Sequence, residues 1–207
     1  MDLFYPRFCY GCGKMGEFLC DNCYGQLDFL MGDVTQKFAL TSLDRTQALL
    51  KYEPLVAKMI HQYKYKGVRD LGVTFGYWLY QFLPLPACDA VTYIPIHKKR
   101  LAERGYNQAK IIAVELAKRL KVPCLPLLKR TIHREKQALS KNAQERQKKA
   151  AKIFASQGEK NNWPVKFPRI ILVDDVVTTG ATMNEAARIL KEAGFAKVYG
   201  VALAHGA

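Results

Sequence analysis

Residues 170–182 constrain the fold of this chain more than any other segment. Their sequence, IILVDDVVTTGAT, begins with four apolar residues, which predict a buried strand. Asp174 and Asp175 follow where we expect this strand to end, and a short loop leads into a helix predicted from Met183 onward. In an open parallel sheet, ligands bind outside the carboxyl ends of the strands, and a helix start offers N–H groups that suit a phosphate. The segment therefore predicts an α/β fold with a ligand site at one edge of its sheet.

The residue types in this loop suit a sugar phosphate. Gly180 permits a left-handed backbone, and Thr178, Thr179 and Thr182 each carry a hydroxyl that can donate a hydrogen bond. The two ionised aspartates only accept hydrogen bonds, so they suit vicinal hydroxyls, a metal ion or both. A simple helix cap is the alternative, but a cap needs only one such residue. The loop also lacks the Gly-Lys-Ser/Thr ending of a Walker-type nucleotide loop.

On these residues, the segment resembles the signature of the type I phosphoribosyltransferases, which hold phosphoribosyl pyrophosphate (PRPP). The resemblance implies that the aspartates face the ribose hydroxyls, that the loop surrounds the 5-phosphate, and that Mg²⁺ bridges oxygens of the ligand. The PRPP-binding residues that it implies are Asp174, Asp175, Val176, Val177, Thr178, Thr179, Gly180, Ala181 and Thr182.

The rest of the chain alternates between strand and helix patterns, which predicts an open, mainly parallel sheet with helices on both faces. We expect a small module at residues 1–40 and a phosphoribosyltransferase-like domain at residues 41–207. The predicted elements are an edge strand at Ala48–Tyr52, a helix opened by Pro54, a helix capped by Asp70, a strand at Ala90–Ile94, one long helix that includes Tyr106–Leu120, a short strand near Cys124–Leu127, and, after the Ile170 strand, a helix at Asn184–Ala193 and a strand at Val198–Leu203.

Four of the six cysteines form two closely spaced pairs, Cys9-x2-Cys12 and Cys20-x2-Cys23. Such pairs offer four thiolates for tetrahedral coordination, which favours a structural Zn²⁺ site without an open position. Two disulfides or an iron–sulfur centre are the alternatives. The remaining cysteines, Cys88 and Cys124, are expected to be small buried residues.

A second candidate anion site follows the strand at Ala90–Ile94. Its loop reads Pro-Ile-His-Lys-Lys-Arg, and arginine binds phosphate oxygens through two parallel hydrogen bonds. If both loops meet at one edge of the sheet, this loop suits the pyrophosphate end of the ligand; the alternative is a solvated basic turn. The candidate pyrophosphate-binding residues are Pro95, Ile96, His97, Lys98, Arg100 and Arg104.

The net charge of +14 is concentrated in residues 97–152, which contain 17 Lys and Arg against four Glu. Such a segment attracts polyanions, for example pyrophosphate, nucleic acid or an acidic protein. Within it we expect Arg130–Gln147 to form a mobile loop or a partly helical arm. No secretion signal and no run of 18 apolar residues is found, so we expect a cytoplasmic protein without direct membrane insertion. The candidate DNA-binding residues are Lys98, Lys99, Arg130, Arg134, Lys136 and Arg146.

The stretch Arg100-x3-Arg104-Gly-Tyr-Asn-Gln-Ala109, together with the Asp174–Thr182 signature and the four cysteines, resembles the ComF family of bacterial competence proteins over nearly the whole chain. Lys-Tyr-Lys-Gly at residues 64–67 and the pattern Lys129-Arg130…Gln137-x-Leu139…Arg146 also match. The chain departs from the family at Lys149, where an Asn is common.

The resemblance implies a cytoplasmic protein needed for natural transformation, which helps to take in single-stranded DNA alongside a membrane channel and a helicase-like partner. Three functions remain as hypotheses from the sequence. The first is a DNA-uptake factor that binds PRPP and single-stranded DNA. The second is an active phosphoribosyltransferase on an unidentified acceptor, and the third is a regulator that senses PRPP without turnover.

Overall fold

A five-stranded sheet forms the centre of the part of the chain that the structure describes. The structure is a computed structural model, and it describes residues 8–35, 42–131, 153–157 and 166–206. In chain order, the elements are α1 (Asp21–Tyr24), β1 (Phe29–Asp33), β2 (Arg45–Lys51), α2 (Pro54–Tyr65), α3 (Asp70–Phe82), β3 (Ala90–Tyr93), α4 (Lys98–Arg104), α5 (Gln108–Leu120), β4 (Leu128–Arg130), β5 (Phe154–Ser156), β6 (Arg169–Val177), α6 (Ala181–Glu192) and β7 (Lys197–His205).

The main sheet is open and mainly parallel, as the alternating pattern predicts. Its strands lie in the order β1-β2-β7-β6-β3. Strands β2, β7, β6 and β3 run parallel to one another, and β1 is antiparallel to β2. A separate antiparallel pair is formed by β4 and β5. The predicted fold class is therefore confirmed.

Helices cover both faces of this sheet. Successive side chains along a strand point to opposite faces. In β6, Ile171 and Val173 pack in the cluster that contains α2, α3 and α5, whereas Ile170 and Leu172 pack in the cluster that contains α6. All four side chains are fully buried. Burial on both faces explains why β6 is a continuous apolar run rather than an alternating one.

Several boundaries agree with the sequence prediction. Pro54 occupies the first turn of α2, where its missing N–H costs nothing. Strand β3 begins at Ala90 and ends before Pro95, and β7 includes the predicted strand. Helix α6 begins at Ala181, slightly earlier than predicted, and Gly194 follows its end with a φ of 103°.

The single long helix predicted after β3 is wrong, because the chain forms two helices there. Gly105 adopts a left-handed conformation, with a φ of 74°, and ends α4. Asn107 then begins α5, since its side chain accepts a hydrogen bond from the N–H of Lys110 at 3.3 Å. Tyr106 is buried as predicted, but it lies between the helices, where its hydroxyl donates to the carbonyl of Tyr63.

The predicted edge strand is also wrong in its position. The segment at Ala48–Tyr52 belongs to β2, which lies inside the sheet between β1 and β7. The edge on this side of the sheet is β1, whose Gly32 and Asp33 obscure a strand pattern. Because β1 pairs with β2, residues 29–33 belong to the same sheet as β2, β7, β6 and β3. The proposed boundary at residue 40 stays a prediction.

Two smaller predictions need correction. Asp70 is the first residue of α3 and not its cap, a position held by Arg69. The short strand predicted near Cys124–Leu127 is reduced to one bridge between Cys124 and Val91, and β4 begins after it. In both places the pattern identified the region, whereas the backbone hydrogen bonds determined the boundary.

The predicted arm at Arg130–Gln147 lies outside the described residues except for Arg130 and Thr131, and so do the candidates Arg134, Lys136 and Arg146. Among the helices that the structure describes, none combines the length and the apolar character needed to cross a membrane.

Helices α3 and α5 pack closely because glycine faces the contact. A Cβ atom on Gly76 would lie 2.7 Å from the carbonyl oxygen of Ile112 and 2.7 Å from Cβ of Glu115. We expect Gly76→Ala to lower the free energy of unfolding by about 1–3 kcal/mol, because the helices must move apart. Urea denaturation measures this loss. In an exposed helix the same change stabilises by about 1 kcal/mol, so an unchanged or higher stability would contradict the close contact.

Candidate functional site

The two candidate anion loops leave the same edge of the sheet. Strands β3 and β6 are adjacent and parallel, and the N–H of Ile94 donates to the carbonyl of Val173 at 2.9 Å. The loop after β3 therefore starts beside the residue that precedes Asp174. On the other side of β6, the N–H of Gly206 donates to the carbonyl of Val177 at 2.9 Å. The predicted shared edge is confirmed, whereas the ligand itself stays a prediction.

The aspartate pair lies within the last part of β6 and not in the loop after it. Val176 and Val177 are β-branched and extend the strand beyond the acids, which corrects the predicted strand end. The Oδ1 atom of Asp174 accepts a hydrogen bond from the N–H of Asp175 at 2.9 Å. Asp175 is only 8% exposed. As neighbours in an extended strand, the two acids project toward opposite faces of the sheet, and Asp175 lies in a sparsely hydrated position.

Lys64 supplies a cation to this pair. It lies near the end of α2, and its Nζ is 2.9 Å from Oδ2 of Asp175. From the sequence, Lys64 is notable only as part of the Lys-Tyr-Lys-Gly stretch that matches the ComF family. The structure instead joins it to an acid more than 100 residues away, a pairing that no local pattern reveals. A nearly buried carboxylate needs such compensation, because its own hydration is largely removed.

The pKa of Asp174 is raised to about 7, by burial first and by the neighbouring Asp175 carboxylate second. Hydrogen bonding from the Asp175 N–H and the charges of Lys64 and Arg130 act in the opposite direction. Asp174 therefore changes its charge close to neutral pH. Perturbed carboxyl groups of this kind are concentrated at functional sites.

This shift predicts a pH dependence of stability. The unfolded chain ionises Asp174 at a lower pH than the folded chain, so its contribution to stability falls as the pH rises from about 4 to 7. We expect the free energy of unfolding of Asp174→Asn, relative to that of the wild type, to increase as the pH rises from about 4 to 7. Above pH 7 this difference should stay constant, on the order of a few kcal/mol at most. Thermal unfolding of both proteins across this pH range measures the difference.

Asp44 provides a control, because its pKa is shifted in the opposite direction to that of Asp174. Burial opposes its ionisation, but hydrogen bonds from Lys191, Lys197 and the N–H of Val198 outweigh that effect and lower its pKa. Asp44→Asn should therefore lose stability at neutral pH and approach the wild type as the pH falls below 4. A constant difference between Asp174→Asn and the wild type from pH 4 to 7 would contradict the raised pKa of Asp174.

The loop after β6 has the geometry of an anion-binding helix start. Gly180 has a φ of 71° and precedes α6 directly, a conformation that other residues adopt with strain. Thr179 accepts a hydrogen bond from the N–H of Ala181 at 3.4 Å, which tightens the turn. Thr178 and Thr179 are exposed and Thr182 is partly exposed, so their hydroxyls are accessible to a ligand. The first turn of α6 can direct its N–H groups at a phosphate.

The loop after β3 leads into a second helix start. The Nδ1 atom of His97 accepts a hydrogen bond from the N–H of Lys99 at 3.2 Å and so caps α4. Pro95 is buried and anchors the loop. The exposed or partly exposed residues of this loop are Ile96, His97, Lys98, Lys99 and Arg100.

Arg104 is already held by two neighbours. Its guanidinium donates to Oε1 of Gln108 at 3.1 Å and to the hydroxyl of Tyr65 at 3.1 Å, and it lies 5.0 Å from the centre of the Tyr65 ring. The side chain of Asn107 donates to the carbonyl of Ile94 at 3.0 Å. These residues therefore tie the loop after β3 to α2 and α5. These contacts between the loop after β3 and helices α2 and α5 could not be predicted from the sequence.

A cleft of about 640 Å³ lies beside this loop, between α4, α5 and β4. We call it the basic cleft, and its cationic lining residues are Arg69, Lys98, Lys110, Lys129 and Arg130. Tyr93 and Ile111 contribute apolar surface. Among the described residues, Glu115 is the one acid that lines it, and that acid is paired with Arg119 at 2.7 Å.

The four N-terminal cysteines come together as their spacing predicts. Their sulfur atoms all lie within 4.8 Å of one another, and the sulfurs of Cys12 and Cys20 are 3.7 Å apart. Tetrahedral Zn–S bonds of about 2.3 Å require sulfurs about 3.8 Å apart. The N–H of Cys20 donates to the sulfur of Cys9 at 3.4 Å, a bond that supports a thiolate. This set can therefore hold a metal ion.

Burial opposes ionisation of the Cys9 thiol, but nearby backbone N–H groups of Cys12, Cys20 and Gly11 outweigh it and lower the pKa of Cys9 to about 6. Gly11 is required for this arrangement, because a Cβ atom there would lie 2.6 Å from the sulfur of Cys23 and 2.9 Å from Leu55. The cluster thus packs directly on α2.

Comparisons with known proteins agree with these features. Residues 107–206 match the family described as phosphoribosyl transferase domain. The chain is 28% identical over 205 residues to competence protein F of Haemophilus influenzae, covering 92% of this chain and 86% of the relative. It is 32% identical over 149 residues to the competence protein ComFC of Streptococcus pneumoniae, covering 72% of this chain and 62% of the relative.

Among solved structures, a glutamine phosphoribosylpyrophosphate amidotransferase from B. subtilis superposes with a TM-score of 0.44 and 17% identity, covering 65% of this chain and 26% of that protein. The family assignment depends on the sequence relatives together with the parallel sheet and the cysteine cluster. The chain belongs to the ComF family and combines a phosphoribosyltransferase-type fold with an N-terminal four-cysteine cluster.

Proposed function

We propose that this chain is a competence protein that binds PRPP with Mg²⁺ and single-stranded DNA, and that it supports DNA uptake in natural transformation. The relatives named competence protein F and ComFC support the competence role. The observation that carries PRPP binding is the shared sheet edge, where the aspartate pair and the Gly180 loop lie beside the loop after β3. Zn²⁺ is the metal that we propose for the four cysteines.

The arrangement of the two loops suits intact PRPP better than ribose 5-phosphate or pyrophosphate alone. The acids can accept hydrogen bonds from ribose hydroxyls, and the start of α6 can bind the 5-phosphate. The basic side chains of the loop after β3 lie at the neighbouring strand end and complement pyrophosphate. A ligand that carries sugar, phosphate and pyrophosphate engages both loops at once.

Calorimetry with three ligands tests this proposal. PRPP with Mg²⁺ should bind more tightly than ribose 5-phosphate or pyrophosphate with Mg²⁺, and both fragments should compete with it, because each occupies one loop. Equal affinity for PRPP and pyrophosphate would contradict the sugar contacts. Absence of competition by either fragment would contradict a shared site.

A salt titration tests binding of single-stranded DNA. We expect the logarithm of the association constant to fall linearly with the logarithm of the salt concentration, with a slope near −0.7 for each phosphate contacted. Fluorescence anisotropy of a labelled oligothymidine measures this slope. No affinity at low salt would remove the DNA-binding part of the proposal.

We further propose a helicase-like competence protein as a partner of this chain.

A further inference from the structure

A second cleft lies between the cysteine cluster and the turn that joins α2 to α3, on a surface that the PRPP site does not use. Its volume is about 920 Å³. We call it the module cleft, and the residues that matter for its chemistry are Phe8, Tyr10, Phe18, Lys58, Lys66 and Arg69. Among the described residues, Asp70 is the one acid that lines it.

The module cleft combines aromatic rings with cations. The rings of Tyr10 and Phe18 are stacked, with centroids 5.5 Å apart and planes 5° from parallel. Phe8 is 49% exposed and lines the same cleft. Lys66 is exposed near the same surface. Tyr10 and Phe18 are partly exposed. Accessible rings next to cations are the pattern of surfaces that bind single-stranded nucleic acids, because bases stack and phosphates pair with the cations.

The walls of this cleft are held in place. The side chain of Lys58 donates to the carbonyl of Gly11, and Nε2 of Gln62 donates to the carbonyl of Tyr10 at 3.3 Å. Both bonds join α2 to the cysteine cluster. The rings are therefore presented by a fixed backbone, so less ordering is required when a base stacks on them.

The module cleft and the basic cleft share one residue, Arg69. Arg69 is fixed there by its position 5.1 Å from the centre of the Tyr106 ring and by a 3.4 Å hydrogen bond to the carbonyl of Gly105. Among the residues that the structure describes, the two clefts together are lined by seven Lys and Arg and two acids. This excess of cations favours a chain of phosphates over a neutral or cationic partner.

We propose that single-stranded nucleic acid runs from the module cleft, where bases stack on the aromatic residues, past Arg69 into the basic cleft, where its phosphates pair with lysine and arginine. This inference rests on the proposed DNA binding and specifies the surface that performs it. The cysteine cluster thereby acquires a role in binding, since it presents Phe8, Tyr10 and Phe18 to the strand.

Variants in the two clefts test this path by fluorescence anisotropy. Lys66→Ala combined with Lys110→Ala removes one exposed cation from each cleft. We expect the salt slope for oligothymidine to become shallower by about 1.4, that is, two contacts of about 0.7. The matched control is Lys118→Ala with Lys121→Asn, which removes two cations outside both clefts; Asn tolerates the left-handed φ of 58° at position 121.

The Phe8→Ala variant tests the contribution of base stacking to binding without changing any charge. We expect it to weaken binding of oligothymidine roughly tenfold and to leave binding of an abasic strand of equal length unchanged. If oligothymidine and the abasic strand bind equally well to the wild type, the bases do not stack on this surface and the stacking path is wrong.

The outcomes distinguish this path from the proposed function. If the wild type binds no oligothymidine, the DNA-binding function itself fails. If the wild type binds it but the cleft and control variants have the same slope, the function stands and this path is overturned. Circular dichroism and thermal unfolding of the same variants should match those of the wild type, which verifies that they are folded.

Discussion

Replacing both Asp174 and Asp175 with Asn is expected to reduce PRPP affinity by at least about 100-fold, because two charge-assisted hydrogen bonds to the ribose contribute about 1.5–3 kcal/mol each. The fold should survive. The Lys64 ammonium that loses its partner is 22% exposed and can be hydrated, and the change at position 174 removes a carboxyl group that burial disfavours when charged. Calorimetry with PRPP and Mg²⁺ measures the loss, and thermal unfolding verifies the fold.

Binding of PRPP fragments to the same variant shows which part of PRPP the two aspartates contact. Removing carboxylate charge should leave the binding of metal-free pyrophosphate equal or stronger, since only repulsion is lost. The loss must therefore be confined to ligands that carry the sugar. Glu103→Gln is a control for the change of charge, because Glu103 is exposed on α4. Unchanged PRPP affinity in the Asp174→Asn, Asp175→Asn protein would show that the acids do not contact the ligand.

Removal of one cysteine from the cluster is the second change with a large expected effect. We expect Cys20→Ser to reduce bound zinc from one ion per chain to a small fraction, because a hydroxyl replaces a thiolate in a four-sulfur site. Metal binding contributes about 10–16 kcal/mol in small zinc peptides, so the fold around the cluster depends on it. Metal analysis after gel filtration measures the stoichiometry.

The structural effect of metal loss should be local. The N–H groups of Cys9, Tyr10 and Gly13 are held by bonds of 2.8 Å within the cluster segment, and we expect their protection from hydrogen exchange to disappear. Protection in the parallel strands should persist. Cys88→Ala is the matched control, because Cys88 is a cysteine outside the cluster. Full zinc content in Cys20→Ser, or equal loss in Cys88→Ala, would contradict a four-cysteine zinc site.

The candidate site could be located from the sequence because its signals are local. The apolar run at 170–173 identifies a buried strand, and the residues that follow identify a ligand loop at its carboxyl end. The spacing of Cys9, Cys12, Cys20 and Cys23 likewise predicts a cluster, and the structure brings all four sulfurs together. In both cases, residues adjacent in sequence contribute most of the chemistry.

Where the prediction failed, a distant contact overrides a local pattern. Gly105 lies in a stretch with helical spacing, but its left-handed backbone allows Tyr106 to reach the carbonyl of Tyr63, so the helix divides. Strand β1 has weak strand propensity, and it forms because β2 offers free backbone groups to pair with. Each outcome depends on a partner far away in the sequence.

The amino-acid sequence by itself determined the class of fold, the edge of the sheet that carries the ligand loops, and the grouping of four cysteines, because periodicity and spacing are properties of neighbouring residues. Only the tertiary structure joined Lys64 to Asp175, linked Arg104 to Gln108 and Tyr65, and placed aromatic residues of the cysteine segment beside cations of α2 and of the turn that follows it. Those features arise from packing between elements, where distance along the chain carries no information about distance in space.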